Sequence, residues 1–178
     1  MTDESELRDA ICAHGRLLYG RGYCVGSAGN ISARLPGGGV LMTPTNSCLG
    51  RLDPGRISKL DAEWRHVGGD PPSKEVFMHR AVLRSRPEAG AVVHTHATYC
   101  TTLAILRRDI PAVHYMMAAF GGTSVRCAPY ATFGTPELAA HALAALEGRN
   151  ACLLANHGMI VVGPSLAKAM WLAVELET

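Results

Sequence analysis

The sequence predicts an α/β fold: a mixed sheet covered by helices in one unit spanning residues 1–178. Three observations carry that reading. Apolar strand-like runs, "AGAVVHTH" and "ACLLANHGMIVVG", alternate with helix-length segments along the chain. Some strands are joined by Gly-rich hairpin signals and others by helices, the mark of a mixed sheet. No internal repeat, low-complexity tract or linker divides the 178 residues, a length that buries a sizeable core without disulfides.

The elements follow in order. "SELRDAICAHGRLLY" sets Leu7, Ala10, Ile11, Leu17 and Leu18 near one helical face, with Ser5 as the expected cap. "GSAGNISARL" is a Gly-rich turn running into a short strand, and "GGGVLMTPT" is a hairpin turn followed by a second strand. Short strand-like pieces broken by Pro and Gly fill the stretch from Arg51 to Pro72. A helix is predicted to start at Ser73, turning Val76, Val82 and Leu83 inward, and to stop before Pro87. After the "AGAVVHTH" strand, "TTLAIL" predicts a helix leading away. Thr135 as N-cap, Pro136 at the first helical position and Gly148 beyond the end bracket an Ala- and Leu-rich helix. "ACLLANHGMIVVG" reads as one buried strand closed by Gly163, and Ser165 caps a last helix carrying Ala169, Leu172, Ala173 and Leu176.

Charge and composition exclude several function classes. Lys plus Arg number 17 and Asp plus Glu 15, so the net charge of +2 supplies no field that would draw nucleic acid or a membrane surface. "MTDESELRDA" is acidic where a secretion signal is basic and then apolar, and no apolar run approaches the roughly 18 residues that span a bilayer. The expectation is a soluble cytoplasmic protein with neither a nucleic-acid nor a membrane partner. Six cysteines occur without a C-x-x-C pair and read as reduced, partly buried thiols.

The chemistry starts at His94 and His96. Alternating strand positions share a face, so the two imidazoles stand side by side and propose a metal. His157, followed by Gly158, is either a third ligand leaving a strand where the backbone can bend or a hydrogen-bonded core histidine. Glu75, near the start of a helix, either favours the helix dipole alone or completes a set of three imidazoles and one carboxylate suited to zinc or a similar divalent ion. His14, His66, His79, His114 and His141 occur singly and take the ordinary surface or hydrogen-bonded reading.

"AVVHTHA", "PAVHYMMAAFGG", "CAPYATFGT" and "ANHGMIVVG" together resemble the class II aldolase/adducin family, from about Leu7 to Thr178. The resemblance implies a three-layer α/β/α domain with a largely antiparallel mixed sheet. It implies Glu75, His94, His96 and His157 as a zinc site, and Glu75 and Tyr115 as the groups that move protons. Gly29, Asn30, Thr45, Asn46 and Ser73 match segments that hold a substrate phosphate. Lys74, beside them, stands where the fuculose phosphate branch has Ser, and Asn46 stands where it has Gly. Lys74 either adds a cation for the phosphate or points to solvent. Phe133 matches a residue walling the aldehyde side. The implied activity is reversible cleavage of a ketose 1-phosphate, similar to L-fuculose 1-phosphate, into dihydroxyacetone phosphate and a small aldehyde such as lactaldehyde. A sugar-phosphate epimerase, dehydratase or decarboxylase is the alternative, and a non-catalytic adducin-like module a third reading. The family pattern also implies a homotetramer with active sites between subunits, and a tail beyond the position of Thr178.

Overall fold

The Gly-rich turn ending at Gly29 delivers the chain into β1 (Asn30–Arg34) of a computed structural model that describes residues 3–178. β1 pairs antiparallel with β2 (Val40–Met42) on one side and with β5 (Ala91–Thr95) on the other. β3 (Ser58–Leu60) and β4 (His66–Gly68) extend one edge, and β9 (Gly158–Gly163), β8 (Ala151–Leu154), β7 (Ser124–Ala128) and β6 (Ile110–Pro111) extend the other. The nine strands run in the order β4-β3-β2-β1-β5-β9-β8-β7-β6. Every neighbouring pair is antiparallel except β7 with β8, so the predicted mixed, largely antiparallel sheet is what forms.

Helices cover both faces, giving the α/β/α layering. α1 (Glu4–Gly20), α3 (Thr98–Ile105) and α5 (Leu166–Glu177) lie over Ile31, Ala91, Val93, Leu153, Met159 and Val161. α2 (Val76–Ser85) and α4 (Pro136–Leu146) lie over Val40, Val92, Cys152, Leu154, Ile160 and Val162. Because both faces are covered, β5, β8 and β9 are buried at every position and read as continuous apolar runs. Removing each such Val, Leu or Ile side chain from water contributes about 1.5–3 kcal/mol. Strand alternation then puts His94 on the same face as Val92, toward α2.

The capping signals behave as expected at Thr135, which accepts from the Leu138 amide, and at Ser165, which accepts from the Lys168 amide. At α1 the cap is Asp3 rather than Ser5, and its amide donates to the Glu6 carboxylate at 3.1 Å. At α3 the N-cap Ala97 has no polar side chain. Glu177, at the far end of α5, takes that role: its carboxylate accepts from the Tyr99 and Cys100 amides at 2.8 and 2.9 Å.

Two expectations are corrected. "ACLLANHGMIVVG" is a hairpin, β8 and β9 joined through Ala155–His157, with Asn156 in the left-handed region at φ 56°. α2 starts at Val76 and not at Ser73, which leaves Ser73 and Lys74 in a turn and makes Glu75 the N-cap. β6, two residues long, is too short to carry an alternation, and sequence reasoning missed the short polar–apolar alternation of β7. All six cysteines are free, as expected. Burial raises the Cys24 thiol to about 11, which suits an inert side chain. Among the described residues no helix is long and apolar enough to cross a membrane.

Candidate metal centre

Four side chains from three parts of the chain converge beside the end of β5. His94 belongs to the strand and His96 lies one residue past its end, with ring centroids 5.0 Å apart. His157 comes from the β8–β9 turn, 4.7 Å from the His94 ring and 4.9 Å from the His96 ring. The turn can lie this close because residue 158 is glycine: a Cβ there would meet the Thr95 carbonyl oxygen at 2.4 Å. One ligand nitrogen from each of the three imidazoles falls within 4.8 Å of the others.

Glu75 arrives from the opposite layer. As N-cap of α2 it makes no side-chain cap bond, so its carboxylate is not committed to the helix and turns into the cluster. Oε2 lies 3.2 Å from His94 Nε2, and Oε1 lies 3.3 Å from His157 Nε2. Oε1 is buried with no hydrogen-bond partner. A buried carboxylate oxygen left unpartnered among imidazole nitrogens fits a missing cation, because such an orphan is otherwise costly. The donor set of three imidazoles and one carboxylate fits zinc or a similar divalent ion.

The electrostatics favour ligand-ready protonation states at Glu75, His96 and His157. Burial pushes the Glu75 carboxyl up, but the charges and hydrogen bonds of His94, His157 and Asn30 overbalance it and hold the group well below the ordinary carboxylate range. Burial and the neighbouring imidazoles pull His157 down to about 3 and His96 to about 4. Burial lowers His94 as well, yet the Glu75 carboxylate outweighs it and the net shift is upward. The Met159 carbonyl lies 2.8 Å from His94 Nδ1 and accepts its proton, which turns the Nε2 lone pair toward the cluster.

Above the cluster opens a cavity of about 530 Å³. Gly29, Asn30, Thr45, Asn46, Ser73, Lys74, Glu75, His96, Phe133 and His157, all singled out from sequence, line it. Gly29 has φ +80°, and a Cβ there would meet Cys24 Sγ at 2.4 Å, so no other residue fits. Asn46 has φ 54°, a conformation that glycine adopts freely and asparagine tolerates best among the rest, so Asn preserves the turn at this position. Tyr115 is not brought to the cavity by its own chain: it sits in a 3-10 turn, 81% exposed.

Sequence reasoning missed Val25, Ser27, Tyr130 and Asn156, which also line the cavity. It also took His79 as an ordinary histidine, yet His79 is fully buried and touches the site through Asn30. The available signal was its spacing: four residues after Glu75 on one helix, it shares a face with that carboxylate.

The comparisons with known proteins place the chain in a family. Residues 9–178 match the Class II Aldolase and Adducin N-terminal domain. The chain is 50% identical over 152 residues to the L-fuculose phosphate aldolase of Escherichia coli, covering 85% of this chain and 70% of the relative. It is 49% identical over 171 residues to the 5-methylthioribulose-1-phosphate/5-deoxyribulose-1-phosphate aldolase of Rhodospirillum rubrum, covering 96% of this chain and 77% of the relative. A solved structure of L-fuculose 1-phosphate aldolase superposes with a TM-score of 0.91 at 36% identity, over 96% of this chain and 81% of the other. With the family match spanning residues 9–178 and the fold superposing on that of a solved aldolase, the chain belongs to the class II aldolase and adducin family.

Proposed function

We propose that the chain is a zinc-dependent aldolase that reversibly cleaves a ketose 1-phosphate to dihydroxyacetone phosphate and a small aldehyde. The observation that carries this reading is Glu75, a carboxylate with one oxygen unpartnered against three imidazoles, at the floor of a polar-walled cavity. A carboxylate so placed is a ligand that can also serve as an acid/base. The curated relatives named above act on sugar phosphates by name, which supports the same substrate class.

His94, His96, His157 and Glu75 would hold the ion, which supplies Lewis acidity to stabilise the negative charge that carbon–carbon cleavage develops. Glu75 moves the proton at C3 of the dihydroxyacetone phosphate half. Gly29, Thr45, Asn46, Ser73 and Lys74 receive the phosphate, where backbone N–H groups of the turns and the Lys74 ammonium favour an anion. Phe133 and Tyr130 wall the aldehyde side, since they are the aromatic residues lining the cavity. Tyr115, exposed in its own chain, exchanges a proton with the aldehyde oxygen in a neighbouring subunit's site, which makes the working form a homotetramer in the cytoplasm.

The test is metal analysis of the purified protein followed by a screen for dihydroxyacetone phosphate release from a panel of ketose 1-phosphates. About one divalent ion per chain and release from at least one substrate are expected. Carbon dioxide release or epimerisation, without carbon–carbon cleavage, would overturn the aldolase reading and leave the metal centre.

A further inference from the structure

A chain of buried hydrogen bonds leads away from the metal centre into the core, and its proton positions can be assigned from one end. Glu75 Oε2, on an ionised carboxylate, only accepts. Asn30 lies 2.7 Å away through its amide nitrogen, so the amide NH₂ must face Glu75, where it donates. The same NH₂ lies 3.3 Å from Ser73 Oγ. With its nitrogen so directed, Asn30 turns Oδ1 to His79 Nε2 at 2.5 Å, and an amide oxygen also only accepts. His79 Nε2 therefore carries the proton. His79 Nδ1 is then a lone pair, and Ser32, 2.7 Å away, donates its hydroxyl to it. Burial pulls His79 down to about 3, so a neutral ring is the form this assignment requires.

The fold dictates this arrangement. Asn30 and Ser32 are alternate residues of β1, so both point to the face that α2 covers. Asn30 is the register partner of His94. His79 follows Glu75 by four residues, one helical turn, so the imidazole lies over Asn30 and Ser32 while the carboxylate reaches the cluster. Asn30 and His79 are 4% and 0% exposed, and water is in no position to replace either partner.

We infer that His79 is a positioning residue: it fixes the orientation of the Asn30 amide, and through it holds Glu75 with Oε2 committed and Oε1 available to the metal. This rests on the metal-centre reading above. Without the imidazole, nothing among the described residues donates to Asn30 Oδ1, and the amide is held only by its own donations to Glu75 and Ser73. Anchored at one end only, it can swing away from the carboxylate and leave Oε2 uncommitted. His79 touches neither metal nor substrate, so the whole effect passes through Asn30.

A double-mutant cycle read by zinc affinity tests this, using zinc alone in competition with a chromophoric chelator. His79→Leu and Asn30→Ala should each weaken zinc binding by about tenfold, the usual scale for a group that orients a ligand. The double variant should be no weaker than the worse single variant, because both remove the same restraint. His79→Gln, whose amide N–H reaches toward Asn30, should stay within about threefold of wild type. His79→Asn, which reaches only toward Ser32, should behave like His79→Leu, and this polar pair tests the inference even if the leucine variant fails to fold. With ketose phosphate, kcat of the His79 variants should fall in the same order while KM stays nearly constant. Additive losses in the cycle, or equal zinc affinity for the Gln and Asn variants, would overturn the inference while the metal centre stands. A wild-type protein that binds no zinc would overturn both.

Discussion

The floor and the mouth of the cavity are built by opposite rules. At the floor, Glu75, His94 and the residues holding them are buried between β1, β5, β9 and α2, and nearly every polar atom has a named partner. At the mouth, Val25, Tyr130 and Phe133 are large apolar side chains more than half exposed. Tyr115 and Val113, on the stretch after α3, are more exposed still. Such side chains fit the proposed covering of this surface by a neighbouring subunit. The contrast separates two questions. What the site can catalyse is written in the floor of one chain, and which aldehyde it accepts is written in walls that a single chain leaves open.

The largest predicted effect breaks the floor. His94→Ala and His96→Ala should each lose the metal and all measurable cleavage while staying folded, since each leaves only two imidazoles beside the Glu75 carboxylate and the sheet does not depend on these rings. Metal analysis and circular dichroism check this, and full occupancy in both variants would remove them as ligands. Next, Glu75→Gln should keep much of its metal through the imidazoles yet lose about 10²–10⁴-fold in kcat, the span of a lost acid/base. An unchanged kcat would assign that role elsewhere.

The mouth gives smaller effects that sharpen the comparison. Tyr115→Phe alone should lower cleavage, and mixing it with His94→Ala should restore part of it, because a hybrid contains sites with both native parts. Hybrids that stay inactive, or a fully active monomer in sedimentation, would refute the shared site. The smallest effect belongs to Lys74→Ser. A solvent-exposed ammonium near an anion is worth about 0.2–1 kcal/mol, so KM should rise by less than about fivefold with kcat unchanged. A loss of kcat instead would mean that Lys74 acts on the reacting carbons.

The floor was legible in the sequence because its rules are local. Alternation in β5 places His94, and with it His96, on one face, and the glycine after His157 advertises the close approach that brings in the third ring. What the sequence concealed depends on contacts between distant segments. His79 looks like any helical histidine until β1 is laid beneath it with Asn30 and Ser32 facing up. The β8–β9 turn hid inside an apolar run because both flanking strands are buried on both faces, so its only announcement was the short Asn156-His157-Gly158 interruption, with Asn156 taking the left-handed conformation. Helix α2 starts later than its Ser and Pro signals suggest, and the delay makes Glu75 the N-cap with a side chain free for the cluster. Tyr115 was legible as a residue type, and its place in the site was not, since its own chain leaves it in solvent.

The cap that Glu177 provides for α3 has a consequence in time. The bonds to Tyr99 and Cys100 join residues 78 and 77 positions apart, and α3 starts two residues after His96. During synthesis from the N-terminus, every proposed metal ligand has been made before the carboxylate that anchors the segment behind His96 exists. A nascent chain thus carries its four ligands with one of them on a segment not yet tied down, and closing so long a loop is the slow kind of folding step. Pulse-labelled hydrogen exchange during refolding would see the Tyr99 and Cys100 amides among the last to gain protection, and Glu177→Gln would delay them further without altering a single ligand.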